Sequence, residues 1–344
     1  MSFNTDLFLQ NLYVEAERSR SFNQAAAGSA KQLRETLKSR LMQALGGFPE
    51  QKAPLNPVLL DTQDYGDFVL ERVQYTTMDQ VLVPVYVLKP KTGEGPWPAV
   101  LACHGHGKGQ RDALGMAPDG TLPDEPGIHS RFAVELVRRG LLVVVPEIMG
   151  FGARRLAADI EADPDGGRSS CAVLSAHLIM YGKTLAGIRV YEAMRALDYL
   201  QSREDADATR IGTFGFSGGG LIGGFTAALD ERIRATVICG YTNTFQGSIL
   251  AMNHCIDNYL PGILPYAEQP DLLGLIAPRD LFVESGEGDR IFPVRHVHAA
   301  IDRLKEIYAE MNAESHFAAD LFPGKHQISG RQSFDWLAGR LKAL

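Results

Sequence analysis

Three residue types that together can cut an acyl bond stand at telling places in this chain. Gly215-Phe216-Ser217-Gly218-Gly219 matches the pattern G-x-S-x-G. It follows a short apolar run, Ile211 to Phe216, and precedes a small-residue segment with helical spacing, Gly218 to Leu229. Strand, tight turn and helix form the context in which a serine is presented on a strained turn, with neighbours small enough to let strand and helix approach. A structural βα turn with an incidental serine is the plainer alternative. A serine hydroxyl is a weak nucleophile at neutral pH; it needs a base to take its proton and a third group to orient that base. Both are available downstream. Asp289 lies in the glycine-containing run Glu284-Ser-Gly-Glu-Gly-Asp289 that leaves an apolar strand, and His326 follows Gly324-Lys325 after the last strand. Serine, acid, histidine is a recurrent chain order for such sites, so Ser217 is expected as nucleophile, Asp289 as orienter and His326 as base. Glu284 and Glu287 are rival acids. His296 and His298 fall on a helix, and His316 precedes the last strand, at the edge of the sheet opposite the serine.

Acyl transfer also needs hydrogen-bond donors aimed at the oxyanion that develops on the attacked carbonyl. The backbone N–H of Gly218, next after the serine, is one candidate. The backbone N–H of His106 is the other, in the loop His104-Gly105-His106-Gly107 that leaves a buried strand. His-x-His can also bind metal, but no carboxylate or cysteine set accompanies the pair in sequence. The expectation is therefore no metal site and no cofactor.

The elements that must position these residues alternate in type. Residues 1–48 show helical periodicity, ended by Gly46-Gly47-Phe48-Pro49. Phe68 to Tyr75 and Val81 to Leu88 read as a hairpin at a sheet edge, where Pro84 is tolerated. Ala99 to Cys103, Leu141 to Pro146, Ile211 to Phe216, Ile233 to Cys239, Arg279 to Ser285 and Phe317 to Phe322 are strands. Helices are expected at Ser130 to Arg139, Leu178 to Gln201, Val294 to Met311 and Ile328 to Leu341. This alternation predicts an α/β fold with a mostly parallel central sheet and helices on both faces. The long segments leave the C-terminal ends of strands, where ligands bind in open α/β sheets.

Composition narrows the function class. The 344 residues are 45% hydrophobic and 22% charged, ordinary for a chain with a sizeable core. A net charge of -7 argues against a general nucleic-acid binder. No apolar run is long enough to span a bilayer, and the first residues lack the basic and apolar regions of a signal peptide. Cys103, Cys171, Cys239 and Cys255 form no C-x-x-C or paired framework, which suggests reduced thiols and a cytoplasmic location.

Taken jointly, several stretches resemble the α/β-hydrolase superfamily, in its dienelactone hydrolase-like, acetyl xylan esterase-related branch. They are His104-Gly-His-Gly107, Glu147-Ile-Met-Gly-Phe-Gly-Ala-Arg154, Ala196-Leu-Asp-Tyr-Leu200, Arg210 to Gly219 and Gly286-Glu-Gly-Asp289. Asn253-His254-Cys255 with Tyr259-Leu-Pro-Gly262 is similar to an esterase subgroup of that branch. The resemblance starts near residue 65. It implies an α/β-hydrolase fold, a triad of Ser217, Asp289 and His326, and oxyanion donors at His106 and Gly218. It also implies hydrolysis of a small-molecule carboxylic ester, with short acyl groups such as acetyl as the first expectation. The division expected is an N-terminal helical extension over 1–50 and a hydrolase domain over 51–344. Lid-like insertions near 108–128, 147–177 and 241–275 should roof the site. Glu147, Arg154, Tyr241 and His254 are candidate substrate contacts, with Arg155 beside Arg154. A serine peptidase of the prolyl-oligopeptidase type shares the triad order but usually carries a large N-terminal propeller. A catalytically silent binding protein on the same fold is the alternative from another class. The N-terminal helices could pair subunits into a homo-oligomer or cover one face of the sheet.

Overall fold

The computed structural model describes residues 4–125 and 127–344. Residues 1–3 of the expected extension, and Pro126 within the expected 108–128 insertion, lie outside the described residues. The chain opens with two helices, α1 (Thr5–Ala25) and α2 (Ala30–Ala44). Each begins at a polar cap: Asn4 Oδ1 accepts the Leu7 N–H at 3.0 Å and Ser29 Oγ accepts that of Gln32 at 3.2 Å. α2 buries Leu37, Leu41 and Ala44 against the main body. α1 buries no side chain among the described residues.

Among the described residues nine strands and nine further α-helices follow: β1 (Val58–Asp64), β2 (Phe68–Met78), β3 (Val81–Pro90), β4 (Trp97–Cys103), α3 (Gln110–Leu114), α4 (Phe132–Arg138), β5 (Leu142–Pro146), α5 (Ala157–Ala162), α6 (Cys171–Met180), α7 (Leu185–Ser202), β6 (Ala206–Phe216), α8 (Gly218–Leu229), β7 (Ile233–Cys239), α9 (Gln269–Leu273), β8 (Asp280–Gly286), α10 (Val294–Glu310), β9 (Phe317–Phe322) and α11 (Ser333–Ala343). The strands form one sheet in the order β1-β2-β3-β5-β4-β6-β7-β8-β9. Pairing is antiparallel from β1 through β3 to β5 and parallel from there on.

The sheet is covered on both faces because its central strands are apolar on both. Along β5, Leu142 and Val144 join the core that holds Val190 and Leu197 of α7 and Phe225 of α8. Val143 and Val145 join the other core, with Phe132 of α4 and Leu337 of α11. The period of two is that of a strand, and each fully buried Val, Leu or Phe contributes about 1.5–3 kcal/mol. Together with the N-terminal helices, this is the α/β-hydrolase architecture.

Several local expectations are corrected. The helix expected over Leu178 to Gln201 is two helices, α6 and α7, bent by 99°. Gly182 takes φ +67° between them, and Thr184 Oγ1 caps α7 by accepting the Gly187 N–H at 3.0 Å. The β2–β3 hairpin is not at the edge, because β1 pairs outside β2 and β5 pairs with β3. Pro84 is accommodated because the β3–β5 ladder starts only at Val85, opposite Pro146. The last helix starts at Ser333 rather than Ile328, since Glu284 holds the Ser329 and Gly330 N–H groups outside it. Among the described residues no single helix is long and apolar enough to cross a membrane.

Candidate active site

Ser217 joins β6 to α8 with φ +54° and ψ -123°, a conformation an L-residue adopts only under constraint. The turn is possible because Gly215 and Gly219, two residues to either side, lack side chains. A Cβ on Gly215 would strike the Gly219 carbonyl, and one on Gly219 would strike the Cys103 carbonyl of β4. The strain points the serine out of the carboxyl edge of the sheet. There Ser217 Oγ lies 3.0 Å from His326 Nε2. His326 Nδ1 lies 2.7 Å from Asp289 Oδ2. The other oxygen of Asp289 accepts the backbone N–H groups of Ile291 at 2.8 Å and Phe292 at 3.1 Å. The carboxylate is thereby fixed in orientation, and His326 as the Nδ1–H tautomer offers Nε2 to the serine proton.

The rival groups sit elsewhere. Glu284 is fully buried, and its carboxylate accepts from Ser333 Oγ at 2.7 Å and from the Ser329 and Gly330 N–H groups. It shapes the loop after His326. Glu287 is exposed. His296 Nδ1 is 3.3 Å from Thr244 Oγ1, and His316 pairs with Asp280 at the far edge of the sheet.

Above the serine is a cavity of about 380 Å³. Its walls are Phe216, Ile128, Ile291, Phe292, Met252 and the segment Asn253-His254-Cys255, with Ser217, Gly218, His106 and His326 on its floor. Gly218 opens α8, whose first N–H groups have no acceptor within the helix. The His106 ring packs over Gly218, where a Cβ would stand 2.9 Å from Nδ1. No backbone acceptor takes the His106 N–H among the described residues. The loop carrying it is held from behind. His129 Nε2 accepts the Gly105 N–H at 3.1 Å, and His104 Nε2 accepts the Ile148 N–H at 3.2 Å. Burial, then the nearby His104 and His326, drive the His129 pKa down to about 3, so the ring stays neutral and remains an acceptor.

The four candidate substrate contacts separate. His254 lines the cavity; its Nε2 is 2.9 Å from Ser248 Oγ, and desolvation lowers its pKa. Glu147 lies behind the 104–107 loop, where it accepts the Gln110 N–H at 2.8 Å. It faces a second, larger cavity of about 650 Å³, lined also by Arg155, Arg111 and Tyr86. Arg154 makes a buried two-pronged pair with Glu192 at 2.6 and 2.7 Å, and Thr77 Oγ1 joins the same carboxylate. That pair ties the segment after β5 to α7 and directs both terminal guanidinium nitrogens to the protein, away from the cavity above Ser217. Arg155 binds main-chain carbonyls, including that of Asp163 at 2.7 Å. Tyr241 is buried against Phe225 and Phe292, outside the cavity wall, and burial raises its pKa.

Sequence reasoning did not single out Ile291 and Phe292, although both lie within three residues of Asp289. It also missed His129, Met252 and the groups beside His106. The last carry no sequence signal, because Cys171, Arg189 and Asp257 meet His106 only in the fold. Cys171 has its pKa drawn down by its hydrogen bond with Cys255, then by His106 and Arg189, against the effect of burial. The roof segment 241–268 is closed at its base. Gln269 Oε1 accepts the Asn243 N–H and its Nε2 donates to the Tyr241 carbonyl at 3.2 Å. Glu268 takes the N–H groups of Phe245 at 2.7 Å, Gln246 at 3.1 Å and Gln269 at 2.8 Å.

Known proteins share this arrangement at the level of fold. A Bacteroides fragilis NCTC 9343 protein named for acetyl xylan esterase superimposes with TM-score 0.75 at 18% identity, covering 94% of this chain and 83% of that one. The methylesterase BT1017 gives 0.69 at 19% identity, covering 96% and 68%. A glucuronoyl esterase from Solibacter usitatus gives 0.66 at 16% identity, covering 92% and 94%. In sequence, YtaP of Bacillus subtilis (strain 168), a hydrolase by name, is 30% identical over 291 residues, which is 82% of this chain and 90% of YtaP. A model of the Abhydrolase family matches residues 9–320, and with that span of match the chain belongs to the Abhydrolase family of the α/β-hydrolase superfamily.

Proposed function

We propose that the protein is a serine esterase that hydrolyses small carboxylic esters through an acyl-enzyme. The observation that carries this reading is the continuous relay from Ser217 Oγ to His326 at 3.0 Å and on to Asp289 at 2.7 Å, on a strained turn that opens into a cavity. His326 Nε2 takes the Ser217 proton as Oγ attacks the ester carbonyl. Asp289 holds the ring and stabilises the imidazolium that results. The oxyanion is received by the N–H groups of Gly218 and His106. The tetrahedral intermediate collapses, His326 protonates the departing alcohol, and a water activated by the same histidine then releases the acid.

Esters are favoured over amides by the company the fold keeps: the structural neighbours are named for acetyl xylan, methyl and glucuronoyl esters. The apolar walls formed by Phe216, Ile291, Phe292 and Met252 suit a small acyl group on the serine. The test is a panel of p-nitrophenyl acyl esters, sugar acetates and peptide anilides against wild type and Ser217→Ala. The expected result is turnover of the short acyl esters by wild type alone. Faster cleavage of the anilides than of the esters would replace this reading with a peptidase.

A further inference from the structure

Behind the oxyanion loop, four side chains from three separate segments converge. His106 comes from the loop after β4, Cys171 from the first turn of α6, and Cys255 and Asp257 from the roof segment. Each offers one donor atom, and the four atoms all lie within 4.8 Å of one another. His106 Nε2 is shielded from solvent and has no hydrogen-bond partner among the described residues. It stands 3.5 Å from Asp257 Oδ2. Arg189, itself buried, donates to Asp257 and lies 3.1 Å from Cys171 Sγ.

We propose that His106, Cys171, Cys255 and Asp257 form a binding site for one divalent cation of the zinc class. Two sulfurs, an imidazole nitrogen and a carboxylate oxygen are the donor types that borderline-soft tetrahedral ions prefer. Zinc bonds of about 2.0–2.3 Å imply ligand-to-ligand edges of about 3.3–3.8 Å, so even the widest pair draws in by no more than about 1.5 Å. Charge supports the same reading. Two thiolates and a carboxylate carry three negative charges, which the cation and the Arg189 guanidinium neutralise, leaving no uncompensated charge in a buried place. Arg189 also hydrogen-bonds two of the ligands from outside, an arrangement that fixes ligand orientation at metal sites. On binding, the cation enters and the thiol protons leave to solvent.

Four protein ligands close the coordination sphere, so the role is structural rather than hydrolytic. The ion would clamp the loop that carries the His106 N–H to α6 and to the roof of the cavity, which includes Cys255. In sequence the metal question turned on His104 and His106 as a pair. In the fold His104 is committed to the Ile148 N–H, and His106 finds its co-ligands far along the chain. This site stands independently of whether Ser217 is the nucleophile.

The test uses the full chain, stripped of metal under reducing conditions. Equilibrium dialysis against Zn²⁺ is expected to give one equivalent per chain, for wild type and for Ser217→Ala alike. Co²⁺ in its place is expected to show thiolate-to-metal charge transfer and the ligand-field bands of a tetrahedral site. The Cys171→Ser/Cys255→Ser double variant should lose affinity by about 100-fold or more, with circular dichroism reporting that it is folded. Alkylation mapping on wild type needs no variant: Zn²⁺ should protect Cys171 and Cys255 together. Uptake below stoichiometry, a cobalt spectrum without thiolate charge transfer, undiminished affinity in a folded double variant, or a Cys171–Cys255 disulfide that forms despite Zn²⁺ would each overturn the proposal.

Discussion

Two histidine–carboxylate pairs bracket strands β8 and β9. At their C-terminal ends His326 Nδ1 is 2.7 Å from Asp289, and at their N-terminal ends His316 Nδ1 is 2.9 Å from Asp280. The groups are the same and the strands that carry them are the same. The surroundings differ. The Asp289 side chain is wholly shielded and that of His326 is 16% exposed, against 9% for Asp280 and 45% for His316. Asp289 gives its second oxygen to two backbone N–H groups. Asp280 shares one oxygen between His316 and Arg340, the latter at 3.4 Å, and so ties α11 to the bottom of the sheet. Only the upper pair faces a hydroxyl on a strained turn. A histidine beside a carboxylate is common, and the edge of the sheet on which it stands decides what it can do.

The comparison is broken most sharply by removing what the upper pair faces. Under the esterase reading, Ser217→Ala should lower kcat on p-nitrophenyl acetate by about 10⁶-fold with an unchanged melting temperature, and retention of more than about a hundredth of the rate would place the nucleophile elsewhere. Asp289→Asn leaves the pair's shape and removes its charge; kcat should fall by about 10⁴-fold at nearly constant KM, measured by steady-state kinetics. A pH series sharpens the role of the loop that faces the pair. His129 is held near pKa 3 in the fold against an ordinary 6.5 for histidine, so below pH 6.5 the unfolded chain gains a proton that the folded chain refuses. Stability from this residue is therefore complete above pH 6.5 and lost as the pH falls, by roughly 1.4 kcal/mol per unit. Urea unfolding at pH 7 and pH 5 should show that slope in wild type and a shallower one in His129→Leu. The smallest effect belongs to the lower pair. Asp280→Asn should leave kcat within about twofold and cost about 0–1 kcal/mol, as half-exposed ion pairs do; a large kinetic effect would mean that the two ends of β8 are coupled.

What could be read from the sequence was whatever depends on local pattern. β4 and β5 are buried on both sides and so appear as unbroken apolar runs, and β7 and β8 keep short ones, Val237 to Cys239 and Leu281 to Val283. The order of Ser217, Asp289 and His326 was readable because each lies just past the end of a strand. β1 escaped, since most of its residues are exposed and it carries little alternation. The break between α6 and α7 escaped because apolar spacing continues across Gly182 while the backbone turns. Arg154 and Tyr241 illustrate the limit at the site. Both lie in segments that leave strand ends toward the cavity, yet a buried partner at Glu192 takes the first and aromatic packing takes the second. Tertiary partners of that kind leave no trace in spacing.

The closure of the roof at Gln269 and Glu268 has a consequence for how such a protein can diversify. Because side-chain bonds within the segment join its two ends, the loop-closure cost is met at its base and not by the residues at its tip. Met252, Asn253 and His254 line the cavity and can be exchanged while the stem stays intact, whereas Cys255 and Asp257 beside them are held by the cluster around His106, Cys171 and Arg189. The segment thus behaves as a cassette: a different tip at residues 252–254 would reshape the cavity above Ser217 without disturbing the sheet edge below it.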